Sequence, residues 1–178
     1  MAEKFNLDNA IRKIPNFPKE GILFYDITSI MLNTEAFKFV IDEFCEEIRK
    51  KGNVTKIAAL ESRGFIFAGA VAKELGIPMV LIRKKGKLPG ETYSEKYALE
   101  YGEAEIEVHK SDIDKTDKVV IIDDLAATGG TLEATEKLVF KAGASVVESL
   151  CVIGLPLLGF NEKTNKPVKT LIDYKTKE

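Results

Sequence analysis

The fold follows from residues 119–131, which read Val119-Val120-Ile121-Ile122-Asp123-Asp124-Leu125-Ala126-Ala127-Thr128-Gly129-Gly130-Thr131. An unbroken aliphatic run of this length predicts a strand that is buried on both faces of a parallel sheet. The two carboxylates then lie at its C-terminal end, where open α/β sheets bind their ligands. The small residues that follow leave backbone N–H groups uncovered at the start of a helix, which favours an anion. A ligand with both hydroxyls and a phosphate, such as a sugar phosphate, fits this stretch.

Parts of the same stretch also have a purely structural interpretation. Asp124 or Thr128 could be an ordinary turn or capping residue, and an Asp-Asp pair alone is a weak signal. Two other phosphate-binding motifs are excluded. No Gly-Lys-Ser/Thr follows the glycines as in a Walker A loop, and the spacing is not the Gly-x-Gly-x-x-Gly of dinucleotide folds.

Length and composition predict an ordinary globular protein with one domain over residues 1–178. Of its 178 residues, 45% are hydrophobic and 30% are charged, as in average globular domains. The net charge of −2 gives no general attraction to nucleic acid or to an anionic membrane. No apolar run is long enough for a membrane span, and no secretory signal is evident. We therefore expect no nucleic-acid partner, no membrane partner and a cytoplasmic location.

Cysteine and histidine are too few for a metal site built from them. Cys45 and Cys151, with the single His109, do not make a credible zinc or iron–sulfur site. We expect two buried free thiols, since a structural disulfide is improbable in a reducing compartment. His109 ends an alternating segment and is given no catalytic role.

Strand and helix patterns alternate around the opening stretch. Ile57 to Leu60 predicts a short buried strand, Ala68 to Leu75 a helix that stops at Gly76, and Met79 to Ile82 another buried strand. This order predicts an α/β fold with a doubly wound, mainly parallel central sheet flanked by helices. A final strand is predicted over residues 170–174, at an edge of the sheet.

Two helices are predicted before this alternation begins. Apolar residues spaced three or four apart predict an amphipathic helix over residues 34–51, with Thr34 as its N-cap and Gly52 as its C-terminal stop. A short helix is predicted over residues 5–14, ending before Pro15. The longer helix is assigned to structure alone.

Two further polar loops reach the same edge of the sheet as the carboxylates, because each follows a predicted parallel strand. One loop carries Ser62 and Arg63. The other carries four cations within Arg83-Lys84-Lys85-Gly86-Lys87. A charge run is commonly no more than a solvated face, but its place directly after a buried strand favours binding. Arg offers a bidentate fork and Lys a point charge, which together suit a polyphosphate.

Two segments lie outside the predicted sheet. Residues 14–28 contain two prolines and Gly21 and lead into an extended apolar run. That run is either an edge strand over the core or, through Phe24 and Tyr25, a stacking surface for a flat ring. Residues 91–109 predict a two-stranded excursion with Gly102 near the turn and Glu100 near the tip. Flanking glycines favour a mobile lid, and a plain surface hairpin is the alternative.

Five stretches, taken together and in this order, resemble the adenine phosphoribosyltransferases of the type I phosphoribosyltransferase family. Residues 119–131 are similar to that family's signature for 5-phospho-α-D-ribose 1-diphosphate (PRPP), and the resemblance covers nearly the whole chain. It implies the type I phosphoribosyltransferase fold, with an N-terminal hood at about 1–30 and a mobile lid at about 88–109. The other four stretches are Phe17-Pro18-Lys19-Glu20-Gly21-Ile22-Leu23-Phe24, Glu61-Ser62-Arg63-Gly64-Phe65, Leu81-Ile82-Arg83-Lys84-Lys85-Gly86-Lys87-Leu88-Pro89-Gly90 and Leu99-Glu100-Tyr101-Gly102.

The resemblance also implies a reaction. Members of this family convert adenine and PRPP to AMP and diphosphate with Mg²⁺, as a purine salvage route. Adenine, PRPP, AMP and diphosphate are therefore the implied partners. Mg²⁺ is the implied cofactor, bound through the diphosphate of PRPP with no certain direct protein ligand. A homodimer is implied as well.

Residue roles carry over from the positions that match the family's motifs. Asp123 and Asp124 are implied to hold the ribose hydroxyls, directly or through the metal, and Arg63 to grip the diphosphate. Glu100, on the lid, is implied to assist proton handling at N7 of the base and completes the catalytic set with the two aspartates. The remaining implied contacts are Ala127, Thr128, Gly129, Gly130 and Thr131 for the 5′-phosphate, Arg83 and Lys87 for the diphosphate, and Leu23 and Phe24 for the purine.

One departure and two alternatives remain open. Many relatives have Arg where this chain has Tyr25, so a polar role of that Arg near the base is lost or replaced by a phenol. The first alternative is transfer to guanine, hypoxanthine, xanthine or orotate, because adenine is inferred mainly from the hood and the lid. The second is a regulator that senses purine or PRPP without turnover. Such proteins generally carry an added DNA-binding domain, for which this chain has neither room nor a basic helix.

Overall fold

A computed structural model describes residues 5–99 and 102–175 of the protein. Its strands are β1 (Arg12–Pro15), β2 (Leu23–Asp26), β3 (Lys56–Leu60), β4 (Met79–Lys84), β5 (Thr92–Ala98), β6 (Glu103–His109), β7 (Lys118–Ala126), β8 (Ser145–Gly154) and β9 (Val168–Asp173). Its α-helices are α1 (Thr28–Leu32), α2 (Thr34–Lys51), α3 (Gly64–Leu75), α4 (Gly130–Lys141) and α5 (Phe160–Lys163). Short 3₁₀ turns cover Leu7–Ala10, Lys110–Asp112 and Pro156–Leu158.

A seven-stranded sheet forms the centre of the molecule in the order β5-β6-β4-β3-β7-β8-β9. The five strands from β4 to β9 in this order run parallel to one another. Strands β5 and β6 are antiparallel additions at one edge. The predicted doubly wound, mainly parallel α/β sheet is confirmed, and β9 lies at the opposite edge, as predicted for the last strand.

Helices cover both faces of this sheet, and β7 is buried between them. Val119, Val120, Ile121 and Ile122 are each fully inaccessible to solvent. Alternate residues of the strand belong to two separate apolar clusters, one that contains side chains of α2 and α3 and one that contains side chains of α4. The unbroken aliphatic run therefore reflects burial of the strand on both faces, as predicted from the sequence.

Helix α2 confirms the predicted span over residues 34–51, but its N-cap is Asn33 rather than Thr34. The Asn33 side-chain oxygen accepts hydrogen bonds from the backbone N–H groups of Glu35 and Ala36, both at 3.1 Å. Asparagine outranks threonine as an N-cap, and Thr34 becomes the first helical residue. Gly52 ends the helix in the left-handed conformation, with φ of 71°.

The helix predicted over residues 5–14 is wrong. A 3₁₀ turn at Leu7–Ala10 is followed by β1, which pairs antiparallel with β2 in a separate two-stranded sheet. Leu7 and Ile11 are buried in the core. A segment this short has little helical stability of its own, so tertiary packing and pairing with β2 decide its conformation.

Tyr25 belongs to the core and not to a stacking surface for a ligand, which corrects one of the two interpretations of residues 14–28. Its side chain is 5% exposed, and its ring stacks on Tyr174 with centroids 3.9 Å apart. The Tyr174 hydroxyl in turn donates a hydrogen bond to Asp8 at 2.5 Å. Side chains alternate between the faces of a strand, so Tyr25 points away from the face that carries Phe24.

Strands β5 and β6 pair antiparallel and form the two-stranded excursion predicted within residues 91–109. The Leu99 N–H donates to the Gly102 carbonyl at 2.9 Å, and Gly102 has a φ of 99°. Strand β6 also pairs with the end of β4, so the hairpin extends the main sheet. Lys141 of α4 fastens β5 by a hydrogen bond to the Ser94 carbonyl at 2.7 Å and an ion pair with Glu95 at 2.5 Å.

None of the helices in the described part of the chain is both long and apolar enough to cross a membrane. Cys45 and Cys151 are both free and buried, as predicted.

Acid is expected to lower the stability of this fold. Ion pairs and hydrogen bonds hold the pKa of several carboxyls below its usual range, among them Glu47 beside Lys169 and Asp117 beside Lys56. A carboxyl with a lowered folded-state pKa stabilises the protein above its unfolded-state pKa and loses that contribution as pH falls through the folded-state value. Urea unfolding at pH 7 and pH 3 should give a clearly smaller unfolding free energy at pH 3. Equal free energies at both pH values would contradict these ion pairs.

Candidate active site

Three loops leave the sheet at one edge, at the C-terminal ends of β3, β4 and β7. They surround a cleft of about 160 Å³. A smaller hollow of about 90 Å³ lies against residues 125–132 and shares Asp123 with the cleft. The cleft is lined by Leu60, Glu61, Ser62, Arg63, Ile82, Lys84, Tyr97, Ile106, Asp123, Asp124, Leu125 and Thr131. The structure therefore brings together the predicted Arg63, the two aspartates and the small-residue loop.

The cleft exists because β7 is longer than its neighbour β3. Pairing between these two strands stops at Ala59 and Ile122, whereas β7 continues beside β8 as far as Ala126. The two aspartates thus lie within β7 and not after its end, as the aliphatic run alone would suggest. From Asp123 onward, one edge of β7 has no neighbouring strand and faces the cleft.

Asp123 and Asp124 have different surroundings. Asp124 is 4% exposed, and its Oδ2 lies 2.9 Å from Nε of Arg63. This oxygen is buried without a hydrogen bond, since the guanidinium N–H is not directed at it. Asp123 is half-buried, and its Oδ1 accepts the Asp124 N–H at 2.8 Å. Burial and the nearby charge of Asp124 raise the pKa of Asp123 well above its usual range.

Gly64 allows the first turn of α3, and with it Arg63, to approach these aspartates. A Cβ atom at Gly64 would lie 2.8 Å from the carbonyl oxygen of Ile122 and 3.0 Å from Oδ1 of Asp123. Both distances are shorter than ordinary contacts, and the first involves backbone. Only glycine fits where α3 meets β7 in this arrangement.

Gly64→Ala is expected to lower the free energy of unfolding by about 1–3 kcal/mol, as overpacking does, and to lower activity by moving Arg63. Gly69→Ala on the same helix is the matched control, because a Cβ there meets nothing within 4 Å. That control should gain about 0.5–1 kcal/mol from the better helix propensity of alanine. Chemical denaturation checks both values. If both variants gained stability, the close contact at Gly64 would be disproved.

Residues 127–129 join β7 to α4, and Gly130 and Thr131 begin the helix. Gly129 has a φ of 81°, and a Cβ atom on it would lie 3.0 Å from the Cα and carbonyl oxygen of Phe160. No side chain caps α4, so the N–H groups of its first turn point into the loop without a capping partner from a side chain. This is the geometry of an anion site at a helix N-terminus.

The basic residues at the end of β4 and in the loop after it have different surroundings. Arg83 faces Glu61, with Nε 3.2 Å from Oε2 and Nη2 3.4 Å from Oε1, and it is not among the residues that line the cleft. Lys84 does line it. Lys87 is exposed in the loop beyond. The diphosphate contacts inferred for Arg83 and Lys87 remain predictions.

Two polar cleft residues, Lys84 and Tyr97, were given no individual role from the sequence. Lys84 shares a face of β4 with the buried Val80 and Ile82, so strand alternation could have pointed to it. Tyr97 of β5 also lines the cleft, and a Cβ on Gly130 would lie 3.2 Å from its Cδ2. Tyr97 follows Tyr93 on one face of β5, but only the packing of β5 on α4 shows which way that face points.

The predicted hood residues Leu23 and Phe24 lie on β2 and are not among the residues that line the cleft. Leu23 and Phe24 are half-buried on β2, and the Phe24 ring meets Phe17 edge-on with centroids 5.1 Å apart. A hydrogen bond from Thr28 lowers the pKa of Asp26 most, and the charges of Arg12 and Arg63 lower it further. The end of β2 is therefore close enough to Arg63 for their charges to interact. Glu100 lies outside the described residues.

The donor set of the cleft suits a magnesium ion that is bound mainly by its substrate. No group of three or more His, Cys, Asp or Glu side chains in the described ranges could hold a metal by itself. The buried Asp124 oxygen without a hydrogen bond and the adjacent Asp123 offer two carboxylates. Mg²⁺ in phosphate-binding sites typically takes one or two carboxylates, with substrate phosphates and water completing its shell.

Comparisons with known proteins agree with this geometry. The phosphoribosyl transferase domain matches residues 28–177. The adenine phosphoribosyltransferase of Treponema denticola is 54% identical over 169 residues, which cover 94% of this chain and 88% of the relative. Two solved structures are also similar, and both are adenine phosphoribosyltransferases.

The first structure, from Saccharomyces cerevisiae, is complexed with D-2,5-dideoxy-2,5-imino-altritol 1,6-bisphosphate and adenine. It has a TM-score of 0.90 at 40% identity, with 93% of this chain and 96% of that chain covered. The second, from Trypanosoma brucei, is in complex with AMP, pyrophosphate and ribose-5-phosphate. It has a TM-score of 0.86 at 30% identity, with 94% of this chain and 77% of that chain covered. With its cleft, its fold and these relatives, the chain belongs to the phosphoribosyltransferase family, among the adenine phosphoribosyltransferases.

Proposed function

We propose that the cleft transfers the 5-phosphoribosyl group of PRPP to N9 of adenine, forming AMP and diphosphate in purine salvage. One observation carries this proposal. A pair of carboxylates, an arginine and an uncapped helix N-terminus meet in a single cleft, which matches a ligand with hydroxyls between two phosphate groups. The adenine phosphoribosyltransferase relatives support adenine as the base.

The sugar of PRPP takes the centre of the cleft in this proposal. Asp123 and Asp124 hold the ribose hydroxyls, and Ala127, Thr128, Gly129, Gly130 and Thr131 surround the 5′-phosphate. The backbone N–H groups at the start of α4 face that phosphate without a side-chain cap. Holding the sugar at both ends fixes C1 relative to the incoming base, which removes much of the entropic barrier.

The diphosphate leaves from the opposite side of the cleft. The C1–O bond breaks as the C1–N9 bond forms, and positive charge builds on the sugar ring, as in glycosyl transfer. Arg63, Arg83 and Lys87 offset the charge on the leaving diphosphate, and Lys84, which lines the cleft, adds to them. The Asp123–Asp124 pair, one member of which is buried beside Arg63, tolerates the cationic sugar. No covalent nucleophile is required.

Mg²⁺ fits the two carboxylates together with the diphosphate of PRPP, and it supplies charge that stabilises the leaving group. Asp123 and Asp124 are the residues of this chain that would hold it, directly or through water. Burial and the charge of Asp124 raise the pKa of Asp123 even though the charge of Arg63 is nearby, and a cation beside Asp123 would lower that pKa.

The base site is assigned to the hood. Leu23 and Phe24 are half-buried on β2, and their apolar side chains suit the faces of a purine. Glu100, on the lid formed by β5 and β6, assists proton handling at N7. The lid keeps water away from the sugar cation.

A homodimer and a cytoplasmic location complete the proposal. Both are inferred from the family resemblance and the composition of the chain. Sedimentation at micromolar concentration tests the dimer.

Incubation with PRPP, Mg²⁺ and one base at a time tests the reaction. Chromatography should show AMP with adenine, and no comparable nucleotide with guanine, hypoxanthine, xanthine or orotate. If another base gave a larger yield of nucleotide, that base and not adenine would be the substrate. Tight PRPP binding without a nucleotide product from any base would favour the regulator instead.

A further inference from the structure

The four cations at the end of β4 and in the loop after it are not equivalent, because two buried or partly buried carboxylates form ion pairs with two of them. Glu61 pairs with Arg83 at 3.2 Å, and Glu107 of β6 pairs with Lys85 at 3.3 Å. Lys84 and Lys87 form no ion pair with any residue of the ranges 5–99 and 102–175. The acids thus leave these two ammonium groups available to a ligand.

Glu107 also holds the backbone of the basic loop. Its Oε1 accepts the N–H groups of Lys87 at 3.0 Å and Leu88 at 2.9 Å. Its Oε2 accepts the Thr92 hydroxyl at 3.3 Å, in addition to the Lys85 ion pair. One carboxylate therefore contacts the segment from Lys85 to Thr92 at four points, including both of its ends.

These contacts are made by an ionised and almost fully buried side chain. Glu107 is 2% exposed. Burial alone would raise the pKa of Glu107, but the Leu88 N–H, the Lys85 ammonium and the Lys87 N–H outweigh it and hold that pKa below its usual range. A buried carboxylate with this many donors is costly to replace by a neutral group, because the donors lose their acceptor.

We propose that Glu107 is a positioning residue for the diphosphate end of the cleft. It fixes the loop so that the Lys87 ammonium projects from a held backbone, and it withdraws Lys85 from the ligand. This inference rests on the proposed function, since it takes the basic loop to bind diphosphate. Glu107 itself touches no substrate.

The test is Glu107→Gln, with equilibrium binding of inorganic diphosphate with Mg²⁺ and of AMP measured separately by calorimetry. Gln keeps one acceptor oxygen but turns the second into an NH₂ group, which cannot accept from Thr92 or Lys85. Loss of a charged hydrogen-bonding centre predicts a Kd for diphosphate raised about tenfold or more. The Kd for AMP and the KM for adenine should change less than twofold, because neither ligand reaches the loop.

Glu148→Gln is the matched control. Glu148 is also 2% exposed and is ion-paired with Lys51 at 2.8 Å, but it lies on β8 away from the cleft. The Glu148→Gln substitution should lower the melting temperature of the protein without changing its Kd for diphosphate. Thr92→Val, which removes one donor to Glu107, provides a milder variant that should raise the Kd for diphosphate about twofold even if Glu107→Gln does not fold.

The outcomes separate this inference from the proposed function. If wild-type protein binds diphosphate and both Glu107→Gln and Thr92→Val bind it equally well, the positioning role is wrong and the proposed function stands. The positioning role would also be wrong if Glu107→Gln weakened the binding of diphosphate and of AMP equally, because a general loss of structure raises both Kd values. If the wild-type protein binds no diphosphate, the proposed function fails and the inference fails with it.

Discussion

Asp123→Asn is expected to lower kcat by about two to three orders of magnitude, the usual cost of removing one preorganised electrostatic group from an active site. Asp123 lies at the unpaired edge of β7 inside the cleft, where it is proposed to hold a ribose hydroxyl. The fold should not suffer. Because burial and the charge of Asp124 raise the pKa of Asp123, its ionised form costs stability at pH 7, and a neutral amide removes that cost.

Asp117→Asn is the control, and it should lower the stability of the fold while leaving the active site intact. Asp117 is buried at the other end of β7, where it accepts hydrogen bonds from Thr55 at 2.8 Å and pairs with Lys56 at 2.9 Å. This variant should lose about 2 kcal/mol of unfolding free energy and keep the KM values of the wild type. Steady-state kinetics and urea unfolding measure both quantities. Wild-type turnover in Asp123→Asn would remove this carboxylate from the mechanism.

Arg63→Met is expected to reduce kcat/KM for PRPP by about a hundredfold, the value of one or two charge-assisted hydrogen bonds. Its guanidinium is about half exposed, with Nε beside Asp124 and the remaining donors open to a ligand. The kcat/KM of Arg63→Lys for PRPP should lie between those of the wild type and Arg63→Met, because lysine keeps the charge but loses the bidentate fork.

Arg49→Met is the control for removing an arginine, since Arg49 is exposed in the last turn of α2. The double variant Arg63→Met with Asp124→Asn tests whether Arg63 acts through its neighbour. If the losses of kcat/KM in the two single variants do not add up in the double variant, Arg63 and Asp124 act as one unit. Kinetics at varied PRPP and saturating adenine give each value. If Arg63→Met and Arg49→Met behaved alike, Arg63 would have no part in diphosphate binding.

The parts of the fold that were predictable are those with a long periodic pattern. The aliphatic run before Asp123 and the apolar face of α2 each reflect burial along a whole element, and both appear as expected. The failure over residues 5–14 has the opposite cause. There the pattern covers too few residues, and the conformation is decided by pairing with β2 and by the contact between Tyr174 and Asp8.

In the candidate site as well, features set by local patterns were predictable and features set by tertiary contacts were not. Asp123 and Asp124 lie near the C-terminal end of one buried parallel strand, and Arg63 follows another. Parallel strands bring their C-terminal ends to one edge of a sheet, so the meeting of these residues was predictable. The roles of Lys84 and Glu107 depend on which face of β4 and β6 each side chain occupies. Strand alternation in β4 indicates the face of Lys84, but the contact of Glu107 with the basic loop depends on the pairing of Arg83 with Glu107, which are more than 20 residues apart, and no local pattern specifies that pairing.

A crystal structure with AMP bound tests the central claim most directly. We expect the 5′-phosphate oxygens to lie about 3 Å from the backbone nitrogens of residues 128–131, with the ribose hydroxyls on Asp123 and Asp124. The structure offers a rival site, because a larger cavity of about 490 Å³ lies between α4 and β8 beside the exposed Phe140. AMP bound in that cavity, with the cleft of Asp123 empty, would contradict the account.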